Sequence, residues 1–359
     1  MAVKKPAAKA KPAKKPTQQK TFTLAAVPKG QPGAAPGEPV VLSDATNAFL
    51  TKHKGAIQVV ADMSTGLRVP RKMTGIDAID LYLGPGGFPE GRVIEVFGPE
   101  ASGKSTLCLQ IAAAFTQRGE TVALIDAEHA TDLEYAMKLG IDMRRMLLIQ
   151  PDSAETGLDM LVDICTSGSA ALVIIDSVAA LTPQAELDGD MGTNQVGLQA
   201  RLMGKAMRKI VAAASQHGTI VLFVNQLRSK VGVVFGSPET TPGGNALKFA
   251  ASIRIDLRTA TLIKQGEEDI GRQIKIKFIK NKVGLPWRKA TVDLLAGSGF
   301  DNASWLLDYS LETGLVVLEG NTFTLGGEKL GVGRGNALRK LRDTPHLLEA
   351  LRACAGGTP

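Results

Sequence analysis

From residue 92 onward the chain alternates short, almost continuously apolar runs with longer amphipathic ones. RVIEVF, TVALID, ALVIID and TIVLFVN lack the two-residue alternation of a half-buried strand, so they predict strands covered on both faces, as in a parallel sheet between helices. The stretch from Lys104 and another from about Gln195 to Gln216 repeat apolar residues every three to four positions and predict the helical crossovers such a sheet needs. ASIRIDLR and QIKIKFIK do alternate, which predicts antiparallel edge strands with one wet face. Upstream, SDATNAFLTKHKG reads as a short helix with Ser43 as its N-cap, followed by the strand-like AIQVV. Downstream of Asp301, NASWLLDYSLETGLV and a Lys/Arg-dotted end read as a small separate domain.

These patterns divide the chain into a tail (1–38), a small helix/strand module (39–64), an α/β core (65–301) and a small α+β C-terminal domain (302–359). The core is expected to be a mostly parallel central sheet with helices on both faces. No internal repeat is visible. With 359 residues and 44% hydrophobic content, one large core can be buried. Cys108, Cys165 and Cys354 are scattered without metal-ligand spacing, which argues against a disulfide framework or zinc site and for a reducing compartment. No apolar run approaches the length of a membrane span, because Asp176 and Asn225 interrupt the longest ones; a soluble, cytoplasmic protein with no membrane partner is expected.

Charge refines the picture. The net charge is +7, but residues 1–37 hold eight Lys and no Asp, Glu or Arg, leaving −1 for the remainder. A Lys/Ala/Pro-rich tail of this kind is expected to be disordered. It reads either as a solubility tail or as a polyanion-binding arm.

GPEASGKS, residues 98–105, sits between a predicted strand and a predicted helix. In a phosphate loop of this spelling, backbone N–H groups at a helix start converge on an anion, Lys104 reaches the β- and γ-phosphates and the Ser105 hydroxyl ligates Mg²⁺. An acid at the end of a neighbouring strand completes the metal shell; ALVIID offers Asp176, which otherwise reads as a capping residue. Glu128, just past Asp126 in TVALIDAEHA, is either a water-polarising base or an ordinary helix-start acid. His129 reads as a packing or surface residue. Gln226, at the end of VLFVNQ, is placed where an amide senses a γ-phosphate.

LDGDMGTNQVG and LRSKVGVVFGSPETTPGGN are long, Gly/Pro-rich and aperiodic, which in a compact domain points to function or to disorder, and their shared place at the carboxyl side of one sheet points to a ligand beside the nucleotide site. The helix after the first carries Arg201, Lys205 and Arg208 on one face, and QIKIKFIK carries Lys275 and Lys277 on one face. Separately these are solvated surfaces; together they outline a groove for a phosphate backbone. Aromatic residues are only 4% of the chain, so contacts to backbone are expected to dominate over base stacking.

GPEASGKS, IDAEHA, VIIDSVAALTPQAEL, FVNQLR, GSPETTPGGNALKFAAS and IKNK, in this order and spacing, resemble the bacterial RecA recombinases over about residues 40–340. The ends diverge, as a phage, plasmid or paralogous copy would. The resemblance implies a RecA-type P-loop NTPase core that uses ATP and Mg²⁺. The loop Gly98, Pro99, Glu100, Ala101, Ser102, Gly103, Lys104, Ser105 and Thr106 would hold the phosphates, with Ser105 and Asp176 on the metal. Tyr135 would stack on adenine with Asp132 beside it. Glu128 would activate water, and Gln226 would couple the γ-phosphate to the second loop. Lys280 and Lys282, by themselves an exposed turn, would reach the ATP of a neighbouring subunit, and Phe249 would sit at that interface. DNA contacts would come from Val196, Arg201 and Arg208, from Arg228, Lys230, Val231, Gly243, Gly244 and Asn245, and, for a second strand, from Arg258, Lys275 and Lys277. Val196, Pro242 and Thr259 depart from the family pattern, which bears on strand separation and duplex capture.

The implied activity is a DNA-dependent ATPase that forms helical head-to-tail filaments on single-stranded DNA and exchanges strands with homologous duplex in recombination and repair. A self-cleaving stress repressor and loading factors are implied as further partners. Two other readings stay open: a ring-forming DNA motor on the same fold, and a nucleotide-gated structural filament without strand exchange.

Overall fold

The computed structural model describes residues 52, 69–84, 86–190, 197–229 and 239–356. The tail, Ser43 and the rest of the 39–64 module apart from Lys52, and Val196, Lys230 and Val231 lie outside these residues. The chain divides into two units, 1–68 and 69–359; all that follows concerns the second.

A nine-stranded sheet runs through this unit in the order β13-β12-β11-β10-β3-β7-β6-β4-β5. The predicted runs are its centre: β3 (Val93–Gly98), β4 (Val122–Asp126), β6 (Leu172–Asp176) and β7 (Ile220–Gln226). They pair in parallel, and alternate residues serve two cores. Ile94, Val96, Leu222 and Val224 pack with Leu107 and Ile111 of α2 (Lys104–Gln117). Val93, Val173 and Phe223 pack on the opposite side with Leu161 of α4 (Ala154–Ser167) and with Met203 and Ile210 of α6 (Leu198–His217). Such burial on both faces is why these strands carry no polar alternation. Each large apolar side chain so placed contributes about 1.5–3 kcal/mol.

The two alternating strands are not at an edge. β10 (Ile253–Gln265) pairs in parallel with β3 and antiparallel with β11 (Glu268–Asn281). β12 (Lys289–Leu295) and β13 (Gly299–Phe300) then extend the antiparallel side. Local alternation reports one wet face correctly, since Ile274 and Ile276 are buried and Lys275 and Lys277 exposed. It cannot report which strands lie beyond. The far edge is β5 (Met146–Ile149), which leaves Leu147 and Leu148 exposed.

The C-terminal part is α+β. α8 (Asn302–Glu312) starts at Asp301, whose carboxylate accepts from the Ala303 N–H at 3.2 Å. It packs over a three-stranded antiparallel sheet, β14 (Val316–Glu319), β15 (Thr322–Leu325) and β16 (Glu328–Val332), with α9 (Arg334–Asp343) and α10 (Pro345–Gly356). Trp305 stacks on Tyr309 at 5.0 Å and meets Tyr82 of α1 (Asp77–Tyr82) edge-on at 5.5 Å. Arg352 donates through Nε to both carboxylate oxygens of Asp77 at 2.9 Å. The chain's two tryptophans thus differ sharply: Trp305 is 5% exposed, whereas Trp287, in the β11–β12 connection, is 72% exposed. Also in α1, buried Asp80 accepts from Thr74 N–H and Thr74 Oγ1–H at 2.8 Å and from Gly75 N–H at 3.1 Å. Burial outweighs these donors and pushes its carboxyl up to about 7.

Candidate active site

The phosphate loop turns from β3 into α2. A Cβ on Gly98 would lie 2.3 Å from the Leu257 carbonyl oxygen, and Gly103 caps the helix at φ 85°, so only glycine fits either place without displacement. The loop is braced from within: Ser102 Oγ donates to Pro99 O at 2.8 Å and Lys104 Nζ to the same carbonyl at 2.6 Å. Burial depresses the Lys104 ammonium, against the pull of nearby Asp176 and Glu128. A buried cation satisfied by a backbone carbonyl beside free helix N–H groups favours an incoming anion.

Parallel pairing of β4 and β6 sets Asp126 level with Asp176 at adjacent strand ends. Burial, and the carboxylates of Glu128 and Asp126, push Asp176 up to about 6 despite its hydrogen bond from Ser105 and the charge of Lys104. Glu128 projects from the loop after β4, and its Oε1 accepts from Ser177 Oγ at 2.5 Å and from Gln226 Nε2 at 3.0 Å. Glu128, Asp176 and Gln226 thus meet at the carboxyl ends of three neighbouring strands. His129 is exposed in the same loop, with φ 55°.

A cleft of about 480 Å³ opens beside the loop and is lined by residues 101–106, Tyr135, Arg272 and Leu294 among others. A recess of about 210 Å³ shares Ser105, Thr106 and Tyr135 and adds Asp126, Glu128, Asp132 and Asp176. Tyr135 is half-buried, its hydroxyl donating to Thr106 Oγ1 at 3.4 Å, and Asp132 caps its helix by accepting from the Tyr135 N–H. The residues fit a magnesium nucleotide: glycines leave room where a Cβ would intrude, and the Ser105 hydroxyl stands next to the partly buried Asp176 carboxylate. Among the described residues no group of three or more His, Cys, Asp or Glu could hold a metal by itself. That donor set suits Mg²⁺, which keeps most of its shell from water and phosphate.

The described ends of the two long loops lie at this end of the sheet. Arg201, Lys205 and Arg208 are exposed on α6, opposite buried Met203 and Ile210. The second loop departs from a short ladder, β8 (Arg228–Ser229) with β9 (Glu239–Thr240), which the sequence did not suggest. It returns through Gly243 and Gly244, at φ 81° and 72°, which pack against Val178 and Ala200. Asn245 precedes α7 (Ala246–Ala250). Arg258 is not presented freely: Glu239 takes two of its N–H groups at 2.6 and 2.8 Å and Asp256 a third at 2.7 Å. Lys275 is its cross-strand neighbour.

Lys280 lies on β11 and Lys282 just beyond it, at a strand end rather than a turn. Lys280 Nζ donates to Lys248 O at 2.7 Å and Phe249 O at 3.1 Å, and Lys282 Nζ to Phe249 O at 3.2 Å. Neither makes a carboxylate ion pair among the described residues. Burial, with the charges of Lys282 and Arg254, brings Lys280 down to about 8. Phe249 is 74% exposed, so an unpaired cationic pair and a bare aromatic stand together.

Three residues went unassigned in the sequence reading. Asp126 fixes the Glu128 loop by accepting from Thr131 N–H at 3.2 Å and Gln150 Nε2 at 3.1 Å. Arg272 donates to the carbonyl of Ala101 at 2.9 Å, a phosphate-loop residue at φ 55°. Glu95 is fully buried in β3. Only Glu95 left a signal, an acid inside the apolar run VIEVF.

A mostly parallel sheet with a phosphate loop after one strand, a carboxylate at the end of another and an amide at a third is the arrangement of a P-loop nucleotide-binding fold of the RecA type. Residues 43–301 match the family described as RecA N-terminal domain. The chain is 50% identical over 278 residues to Protein RecA of Acholeplasma laidlawii, covering 77% of this chain and 84% of that one. It is 47% identical to Protein RecA of Chlorobium limicola, covering 82% and 85%. Against Protein RecA of Staphylococcus aureus it is 46% identical, covering 83% and 86%. The chain belongs to the RecA family. A solved RadB recombinase chain is a looser match, with TM-score 0.49 and 22% identity over 64% of this chain and 97% of that one.

Proposed function

We propose that this recombinase-family chain is a DNA-dependent ATPase that assembles head to tail on single-stranded DNA and, with ATP bound, pairs that strand with homologous duplex and exchanges strands. The observation that carries the reading is the 3.0 Å hydrogen bond from Gln226 to Glu128. Gln226 ends β7 immediately before the second loop, so the residue holding the base directly precedes the segment assigned to DNA. Whatever orders that segment alters the base, and whatever occupies the γ-phosphate position alters the segment.

In this reading Lys104 exchanges the Pro99 carbonyl for phosphate oxygens, and the Tyr135 ring covers the base. Glu128 accepts a proton from the attacking water once Gln226 turns to the γ-phosphate. Mg²⁺ on Ser105, with Asp176 behind it, would neutralise phosphate charge. Lys280 and Lys282 belong to the neighbouring site, where they supply the charge an arginine finger supplies elsewhere. Their lack of a carboxylate partner among the described residues, the bare Phe249 and the β5 edge with exposed Leu147 and Leu148 all favour contact with another copy, and a heterologous contact propagates as a helical filament where its rotation does not close a ring. Exposed Arg201, Arg208 and Arg228, with the Gly243–Gly244 turn, would track a DNA backbone. Arg258 would have to leave Glu239 to take part.

The test is ATP hydrolysis by the full chain with and without single-stranded DNA, alongside a Lys282→Ala variant. Strong stimulation that the variant loses is the expected result. Hydrolysis indifferent to DNA would instead favour the ring motor or the structural filament.

A further inference from the structure

Next to the Pro242 end of the second loop, a row of charge crosses three strands. Lys280 of β11 lies opposite Arg254 of β10, and Arg254 opposite Glu95 of β3. Glu95 is 0% exposed, and both of its carboxylate oxygens are committed. Oε2 accepts from Arg254 Nε at 2.5 Å and Oε1 from Asn225 Nδ2 at 3.1 Å. Arg254 is held in turn over the Phe97 ring at 4.7 Å. Asn225, also fully buried, spends the rest of its amide on two further groups. Nδ2 donates to Pro242 O at 3.2 Å, and Oδ1 accepts from the Gln226 N–H at 3.0 Å.

One end of this row is therefore Lys280, held by the Lys248 and Phe249 carbonyls and without a carboxylate ion pair among the described residues. The other end is the backbone of Gln226 and the carbonyl of Pro242, where the second loop returns to the fold. A buried ion pair is no better for stability than well-packed apolar residues of the same volume, so stability does not account for an acid at this place in an otherwise apolar strand. A fully satisfied polar network does fix one arrangement of the groups it joins.

We propose that Glu95 is a positioning residue that, acting through Asn225, holds Gln226 and the Pro242 end of the second loop in an arrangement set by Arg254 and Lys280. Glu95 is the one carboxylate in the row and offsets two cations. An anion brought to Lys280 by a neighbouring protomer takes over part of that task, and the hold of Glu95 on Asn225 changes with it. The proposal rests on the reading above, in which Lys280 meets a neighbour and Gln226 answers to nucleotide, and it extends that reading to the path between them.

Glu95→Gln keeps the shape and removes the charge. Two readouts are taken on the full chain: amide hydrogen exchange without ligand, and ATP turnover with single-stranded DNA. With one buried hydrogen bond weakened, exchange at Gln226, Gly243 and Gly244 should accelerate about tenfold while Leu222 and Val224 change little. DNA-stimulated kcat should fall about tenfold with KM for ATP within about twofold, the split expected when an interaction specific to the activated state is lost. In an Asn225→Ala background, Glu95→Gln should add nothing to exchange at Gln226. Unchanged exchange at Gln226, or acceleration spread evenly over β3 and β7, would overturn the proposal. If Glu95→Gln does not fold, Arg254→Lys decides: it keeps the charge and the Asn225–Gln226 hydrogen bond but removes the Nε donor to Glu95, must still accelerate exchange at Gln226, and refutes the proposal if it does not. Failure of the functional reading looks different, because wild-type turnover would then ignore DNA while the exchange pattern still reports on Glu95.

Discussion

Glu128 receives two hydrogen bonds, from Ser177 and Gln226. Both donors can be kept by an amide oxygen, so Glu128→Gln should leave the loop in place and remove only the ability to take a proton. Turnover of ATP should fall by about 10²–10⁴-fold, while affinity for a fluorescent ATP analogue stays near the wild-type value. Comparable losses in both would show that Glu128 shapes the pocket rather than serving as its base. At this scale the sequence spoke unevenly. The phosphate loop was legible because its chemistry demands fixed residue types at fixed spacing. Asp126, Asn225 and Arg272 were not, because a hydrogen bond between residues distant in the chain leaves no periodic trace. Tyr135 entered the candidate site only through the family resemblance. The structure leaves it half-buried at the pocket wall, joined to Thr106.

Among the elements, the central strands were the easiest to find. Burial on both faces forces a run of apolar residues, and little else in the chain looks like one. Helix α6 was nearly as clear, and it begins at Leu198, after Gly197 at φ 83°. Strand order was the weakest point, since β10 and β11 show their wet face but not their neighbours. Short α1 carries a consequence that pattern reading could not reach. Asp80 retains its proton up to about 7 in the fold, whereas in the unfolded chain it ionises near 4. Between these values the native state binds more protons than the unfolded state, so this carboxyl makes folding less favourable as pH rises, by up to about 1.4 kcal/mol per unit, and adds nothing further above about 7. Urea unfolding of Asp80→Asn should show a shallower loss of stability from pH 4.5 to 7 than the wild type. Equal slopes would mean that the three donors, not burial, govern Asp80.

On the scale of the whole molecule, the C-terminal elements are bound to the core through α1. Arg352 closes on Asp77 from α10, and Trp305 and Tyr309 of α8 close on Tyr82. Asp77 is 5% exposed, and burial raises its carboxyl while Arg352 draws it back. Arg352→Ala would leave that carboxylate buried without its counter-ion. A loss of about 1–3 kcal/mol is expected, smaller than for a fully enclosed pair because Arg352 reaches solvent; a change within about 0.5 kcal/mol in chemical unfolding would mean that the contact is an ordinary surface pair.

The unequal placement of the two tryptophans gives this chain a built-in pair of optical probes. Trp305, enclosed by Tyr82 and Tyr309, should emit toward the blue and respond only when the C-terminal packing opens. Trp287, bare to solvent a few residues from Lys282, should emit toward the red and be quenched by iodide. If copies assemble through the Lys280–Lys282 face, adding nucleotide and DNA should shield the red component from iodide and leave the blue one untouched. Assembly could then be followed in real time on the unlabelled protein.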